Sequence, residues 1–283
     1  MIELIECPRD AMQGIKNQIP TELKIEFINS LLKVGFDTID FGSFVSPKAV
    51  PQMADTVKVL EGLDLTNTDS KLLAIVANTR GAEDACAFEQ IDFLGYPFSI
   101  SETFQQRNTN SSIEESLRRV EEIKNLVDKY KKKLVIYISM AFGNPYGDLW
   151  HADIAAEWAS RLHHDLGIEI LALSDTIGTS NGESITNLFS TLIPHLPNVT
   201  FGAHLHTTPF SWKEKMEAAY NAGCRRFDGA IKGFGGCPMA ADDLTGNMAT
   251  ENIISFLDEV NAETKIDKEL FSKSMAISSR VFP

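Results

Sequence analysis

Glu3-Leu4-Ile5-Glu6-Cys7-Pro8-Arg9-Asp10 is a short β-rich run that closes in a turn without glycine. A doubly wound dinucleotide-binding sheet places a glycine-rich turn at this point, after its first strand. Here Arg9 and Asp10, two opposite charges, stand directly beyond an apolar strand. Similar β-rich runs recur at 38–42, 72–76, 98–101, 134–140, 168–174, 199–204 and 226–230. Amphipathic stretches alternate with them at 21–34, 50–60, 81–88, 113–130, 153–166, 184–193, 212–222 and 250–261. Leu23, Phe27, Leu31 and Val34 form one helical stripe behind Thr21, and Ser111 or Ser112 caps the helix that starts at Ile113. Strand-then-helix units repeated in this way predict an α/β fold, a (β/α)8 TIM barrel, with 267–282 as an additional C-terminal helix on the outside.

The chain has 283 residues, 43% hydrophobic and 23% charged, which excludes a disordered chain. Barrels of this kind commonly take roughly 250 residues as one domain, and no linker or repeat interrupts the pattern. We therefore expect a single catalytic domain spanning 1–283. Twenty-six basic residues against 39 acidic ones give a net charge of −13, which disfavours nucleic acid and anionic membrane as partners because both are polyanions. No apolar run approaches the roughly 20 residues that cross a bilayer, and residues 1–6 lack the marks of a signal peptide. The four cysteines are far apart and suggest neither a zinc ribbon nor a disulfide framework. A reduced, cytoplasmic protein is the expectation.

Active sites of barrels gather at the carboxyl ends of the strands. The residues there are Arg9-Asp10, Asp40 with Ser43, Asn78-Thr79-Arg80, Glu102, Gly143-Asn144, Asp175-Thr176, His204 and His206, then Gly235-Gly236-Cys237 and Asn247. In an extended chain His204 and His206 point to the same side, so both can reach one metal; the alternative is a pair of hydrogen-bonded histidines at a strand end. Asp10, at the end of a first strand that neighbours the eighth in a closed barrel and lies near the seventh, and the amide oxygen of Asn247 would complete a mixed N/O ligand set. That set suits Mg2+ or Mn2+ better than structural zinc.

Arg9 beside such a centre suits the holding of a developing oxyanion, although an arginine in this position can also be a local ion pair. Cys237, in a glycine loop, is a candidate acid/base group or simply a small buried hydrophobe. Asp175 and Asp40 are candidate acid/base or supporting carboxylates, and Asp40 could instead orient Arg9. Lys16, Lys48, Arg80 and Arg107 fall in rim loops, where most such residues are merely solvated.

At this point the chain resembles the hydroxymethylglutaryl-CoA lyase branch of the metal-dependent TIM-barrel lyases and Claisen-condensing enzymes. The resemblance rests on Glu6-Cys7-Pro8-Arg9-Asp10-Ala11-Met12-Gln13, Ser43-Phe44-Val45-Ser46-Pro47-Lys48, Pro51-Gln52-Met53, Ser112-Ile113-Glu114-Glu115-Ser116 and Ser174-Asp175-Thr176-Ile177-Gly178. His204-x-His206, Gly235-Gly236-Cys237-Pro238 and Gly246-Asn247-Met248-Ala249-Thr250-Glu251 complete it, so that it spans nearly the whole chain. Pro8 and the Gly-Gly-Cys-Pro loop favour a lyase over the condensing relatives. The sequence departs from the family pattern at Ala11, Thr207, Thr208-Pro209-Phe210 and Asp40, where a glycine, an aspartate, Thr-Tyr-Gly and a glutamate are usual. It also departs in the stretch between Cys237 and Asn247, which carries one more residue than usual.

The resemblance implies cleavage of 3-hydroxy-3-methylglutaryl-CoA to acetyl-CoA and acetoacetate, as in leucine degradation and ketone-body metabolism. It implies Asp10, His204, His206 and Asn247 as metal ligands, with Arg9, Asp175, Cys237 and Asp40 in catalysis. Gln13, Ser43, Lys16 and Lys48 are the candidates for contact with the acyl-CoA substrate, and a homodimer is the family expectation. The alternatives are condensation of acetyl-CoA with a 2-oxo acid, or a non-catalytic protein that binds metal or acyl-CoA.

Overall fold

The computed structural model describes residues 1–236 and 245–282. Parallel strands close into a barrel in the order β1 (Glu3–Glu6), β2 (Thr38–Ser43), β3 (Lys71–Ile75), β4 (Ile91–Ser99), β5 (Lys133–Ser139), β6 (Ile170–Ser174), β7 (Thr200–His204) and β9 (Arg226–Gly229). β9 returns to β1, with Ile5 opposite Asp228. Two short strands, β8 (His206–Thr207) and β10 (Gly246–Asn247), pair antiparallel outside the barrel and set Asn247 opposite His206. The helices are α1 (Pro8–Gln13), α2 (Thr21–Leu31), α3 (Thr56–Glu61), α4 (Thr79–Cys86), α5 (Glu102–Thr109), α6 (Ile113–Lys129), α7 (Ala152–Leu166), α8 (Gly182–His195), α9 (Trp212–Asn221), α10 (Thr250–Glu259) and α11 (Lys268–Val281). Among the described residues, no helix is long and apolar enough to cross a membrane.

The alternation along each strand separates two apolar layers. Leu73 and Ile75, Val135 and Tyr137, and Ile170 and Ala172 cluster inside the barrel. Their neighbours Leu72, Ala74, Leu134, Ile136, Leu171 and Leu173 join the larger core between barrel and helices. The C-terminal helix α11 lies on α2 and is followed by Phe282. The ring of Phe282 meets Phe27 edge-on at 5.8 Å and stacks on Phe234 at 4.5 Å.

Several elements differ from the sequence expectation for identifiable reasons. β4 starts at Ile91 rather than 98, because Gly95 and Pro97 within it read as breaks. The expected helix over 50–60 is a 3-10 turn, Pro51–Met53, followed by α3. The Thr56 hydroxyl joins these pieces, donating to the Met53 carbonyl while accepting from the Ser43 amide. α1 is absent from the sequence reading, yet Pro8 sits at the first helical position, where its missing N–H costs nothing. α5 was hidden by polar composition, its side chains being Glu, Thr, Phe, Gln, Gln, Arg, Asn and Thr. Ser112 rather than Ser111 caps α6, in a reciprocal capping box with Glu115.

Glu6 points out of the barrel wall, fully buried, and accepts from the Ile231 amide at 2.9 Å and the Thr250 hydroxyl at 2.5 Å. Burial pushes its carboxyl up to about 8, against the lowering effect of Thr250 and Ile231. The folded state therefore keeps a proton that the unfolded chain releases near the ordinary value of 4.5. The resulting stabilisation is complete below the ordinary value and is lost as pH rises through about 8. Glu6→Gln should accordingly flatten the fall in Tm between about pH 5 and pH 9. Parallel melting profiles for variant and wild type would show that Glu6 is ionised in the fold.

Candidate metal centre and active site

The first turn of α1, set directly on the end of β1, carries Arg9 and Asp10, 7% and 8% exposed. Arg9 lies against Asp40 of β2: Nε donates to both Asp40 oxygens at 3.1 and 3.0 Å, and Nη2 to Oδ2 at 2.5 Å. Nη1 donates to Asp10 Oδ1 at 2.9 Å. A guanidinium has five N–H donors, so one remains on each terminal nitrogen. Burial pushes the Asp40 carboxyl up to about 6, although the charge and hydrogen bonds of Arg9 resist it. Asp10 goes the other way: burial opposes its ionisation, but Arg9, His204 and the Asn247 amide hold it below the usual carboxylate range.

His204 and His206 face Asp10. One ligand atom from each of the three lies within 4.8 Å of the others, the spacing of groups that share one ion. Burial, then the neighbouring His204, lowers His206 to about 4, so its ring is neutral at physiological pH. The His206 Nδ1 is buried and has no hydrogen-bond partner among the described residues. A neutral imidazole with an unpartnered buried nitrogen, beside an ionised carboxylate and a second imidazole, fits a divalent cation of mixed N/O preference. His204 is oriented from behind, with Nδ1 3.1 Å from Asp228 Oδ2 and the Tyr137 ring edge-on at 5.4 Å. Burial works against the His204 cation, but the hydrogen bond and charge of Asp228, with Asp10, raise its affinity for a proton.

Asn247 is brought to the same place by the β8–β10 ladder. Its Nδ2 donates to Asp10 Oδ2 at 2.6 Å and to the Phe234 carbonyl at 2.9 Å, so here it supports Asp10 through nitrogen rather than presenting an oxygen. Gln13 likewise donates to Asp10 Oδ1 at 2.9 Å. Gly235, at φ +89°, lies so close that a Cβ would fall 2.7 Å from both Asn247 Nδ2 and the Asp10 carbonyl oxygen. The glycine loop therefore closes over the ligand set only because it lacks side chains there.

The remaining expectations divide. Ser43 is buried at the end of β2, where its hydroxyl accepts from the Val45 amide. Lys16, Lys48, Arg80 and Arg107 are exposed and stand outside the buried cluster, with Arg107 lying over the Tyr146 ring. Cys237 lies outside the described residues. Asp175 is 1% exposed at the end of β6, but its oxygens are occupied: it accepts from the Ser180 amide and hydroxyl at 3.1 and 2.5 Å and from Lys215 Nζ at 2.7 Å. Lys215 also donates to the Gly178 and His206 carbonyls, pinning α9 to the loops beside both histidines.

Sequence reasoning missed Lys215, Tyr137, Arg226 and Asp228. The signals were present. Lys215 shares the buried face of α9 with Met216 and Ala219, and Arg226 and Asp228 sit two apart on β9, so both point into the barrel.

The family model described as HMGL-like matches residues 3–279. A hydroxymethylglutaryl-CoA lyase of Bacillus subtilis is 33% identical over 93% of this chain and 86% of its own. A 3-hydroxy-3-isohexenylglutaryl-CoA/hydroxymethylglutaryl-CoA lyase of Pseudomonas aeruginosa is 32% identical over 94% and 88%. The solved structure of an HMG-CoA lyase from Acinetobacter baumannii, in complex with coenzyme A and 3-methylmalate, superposes with a TM-score of 0.90. It is 28% identical, over 99% of this chain and 91% of that one.

Proposed function

The chain belongs to the HMGL-like family and is a carbon–carbon lyase, and from that premise we propose that it cleaves 3-hydroxy-3-methylglutaryl-CoA to acetyl-CoA and acetoacetate with a divalent metal, Mg2+ or Mn2+. The observation that carries this reading is the Asp10–His204–His206 set, with Asp10 and His206 buried, His204 half-buried and Arg9 fixed against it. The cleavage removes the 3-hydroxyl proton and breaks the C2–C3 bond, leaving its electron pair on C2 as a thioester enolate. C3 becomes the ketone of acetoacetate, and a proton returned to C2 gives acetyl-CoA.

Asp10, His204 and His206 would hold the cation, which would supply Lewis acidity to the 3-hydroxyl. Arg9 offers its two remaining N–H donors to the thioester oxygen on which negative charge grows, and Asp40 keeps the guanidinium flat and in place. Asp175 takes the hydroxyl proton by exchanging one of its present donors, Ser180 or Lys215, for the substrate. We prefer it to His204, whose Nδ1 is committed to Asp228. Cys237 returns the proton to C2, a role that rests on its place after Gly235-Gly236 in the sequence. Gln13, which is bonded to Asp10, and Ser43, buried at the end of β2, would order the acyl group, and the exposed Lys16 and Lys48 would meet the phosphates of coenzyme A.

The deciding experiment follows acetoacetate released from hydroxymethylglutaryl-CoA by the purified protein. Release should stop with a chelator and return with Mn2+ or Mg2+. Bound thioester without acetoacetate would favour a binding protein. Free CoA appearing only from acetyl-CoA plus a 2-oxo acid would favour condensation.

A further inference from the structure

Arg226 occupies the interior of the barrel far below the rim. It lies opposite Glu3 at the start of β1, whereas Asp10 and the histidines lie at the other ends of the strands. It is 4% exposed and Asp228 3% exposed. Arg226 Nη1 donates to Asp228 Oδ1 at 2.8 Å, while the other Asp228 oxygen faces His204 Nδ1 at 3.1 Å. Each carboxylate oxygen thus has its own partner, one on each side, and the group cannot turn without breaking a bond to a charged or ring nitrogen.

The barrel makes room for this long side chain. Following the strand register sideways, Tyr137 of β5 lies beside Ala172 of β6, Ala172 beside Gly202 of β7, and Gly202 beside Arg226 of β9. The two residues between Tyr137 and Arg226 are the small ones. A Cβ on Gly202 would stand 2.6 Å from Arg226 Nη1 and 3.3 Å from its Cδ. Gly202 therefore sets the path of the arginine, and the arginine sets the carboxylate.

We propose that Arg226, lying in the space left by Gly202, is a positioning residue for the metal centre: it locks Asp228 so that His204 carries its proton on Nδ1 and turns Nε2 toward Asp10 and His206. The inference rests on the metal reading of those three residues. It gives a remote arginine a part in metal affinity without contact to substrate or ion. Partners that orient a ligating histidine are typically worth 10–100-fold in metal affinity. Neither the spacing of the two histidines nor the ligand set itself reveals this support, because it comes from the strand that follows them in the chain.

The test compares wild type with R226K, R226M, D228N and G202A. Mn2+ binding is measured by calorimetry on refolding-competent, monodisperse protein, and the His204 ring is followed by long-range 1H–15N NMR of the metal-free form. The wild type should show an Nδ1–H ring signal. R226M, D228N and G202A should lose or broaden it and bind Mn2+ about 10–100-fold more weakly. R226K, which keeps a positively charged donor without the planar guanidinium, should recover part of both. If R226M fails to fold, R226K and G202A still decide, since G202A alters neither a charge nor a ligand. Variants that melt at lower temperature but bind Mn2+ within about twofold of wild type and keep the Nδ1–H signal would reduce Arg226 to a structural residue and overturn the proposal. A wild type that binds no Mn2+ would instead refute the metal reading, and the NMR signal would then decide the orienting role alone.

Discussion

Arg9→Met should lower kcat for thioester cleavage by about 10²–10³-fold, the range measured when a preorganised oxyanion donor is removed. The same change strands Asp40, which is 1% exposed and already raised to about 6 with its partner present. Breaking a buried pair from one side costs about 3–5 kcal/mol, so the single variant loses stability as well as turnover. The two losses separate in the double variant Arg9→Met/Asp40→Asn, which removes both charges. Its melting temperature should recover most of the way while kcat stays low. Recovery of turnover along with stability would mean that Arg9 serves only to neutralise Asp40. Arg9→Lys is a sharper probe of geometry, since an ammonium cannot match the planar fork that Arg9 extends to Asp40 and Asp10 together.

Asp10→Ala should abolish metal-dependent activity and weaken binding of Mn2+ by roughly 100-fold or more, the scale set by losses of mere supporting groups. Asp10 is the only carboxylate in the Asp10–His204–His206 set, and three donors converge on it, from Arg9, Gln13 and Asn247. Its removal takes away a negative ligand and leaves a guanidinium and two amides aimed at an empty volume. Metal analysis after dialysis, beside activity with added Mn2+, checks this directly. A variant that retains both metal and turnover would sink the ligand assignment.

How much of this was legible in the sequence depends on which spacing each feature uses. The strands were readable because β5 and β6 carry runs of apolar residues buried on both faces, and the strand–helix alternation leaves one closed topology. The rim residues were readable because strand ends are where barrels put chemistry, so Arg9, Asp10, Asp40, His204, His206 and Asn247 could be named before any contact was seen. The failures were at places where local pattern and tertiary role disagree. α5 buries chiefly Phe104 and Gln105, too little to mark a period, and Lys215 reads as a surface lysine although it is 2% exposed. Arg226 and Asp228 lie inside the barrel on a strand whose start looks polar, and only the register with β7 brings them under His204. Asp175 shows the opposite limit: its position was readable, but the Lys215 amine that occupies it comes from 40 residues further along the chain.

The stacking of Phe282 on Phe234 bears on how the protein can be handled. Phe234 stands directly before Gly235, and its carbonyl accepts from Asn247, so the residue after the last helix rests on a residue bonded to the Asp10 partner Asn247. Anything fused behind residue 283 begins one residue from that stack. An affinity tag for purification, or a fluorophore attached for binding studies, therefore belongs at the amino terminus. There the exposed Met1 precedes β1 at the opposite mouth of the barrel, and the added mass hangs away from the chemistry.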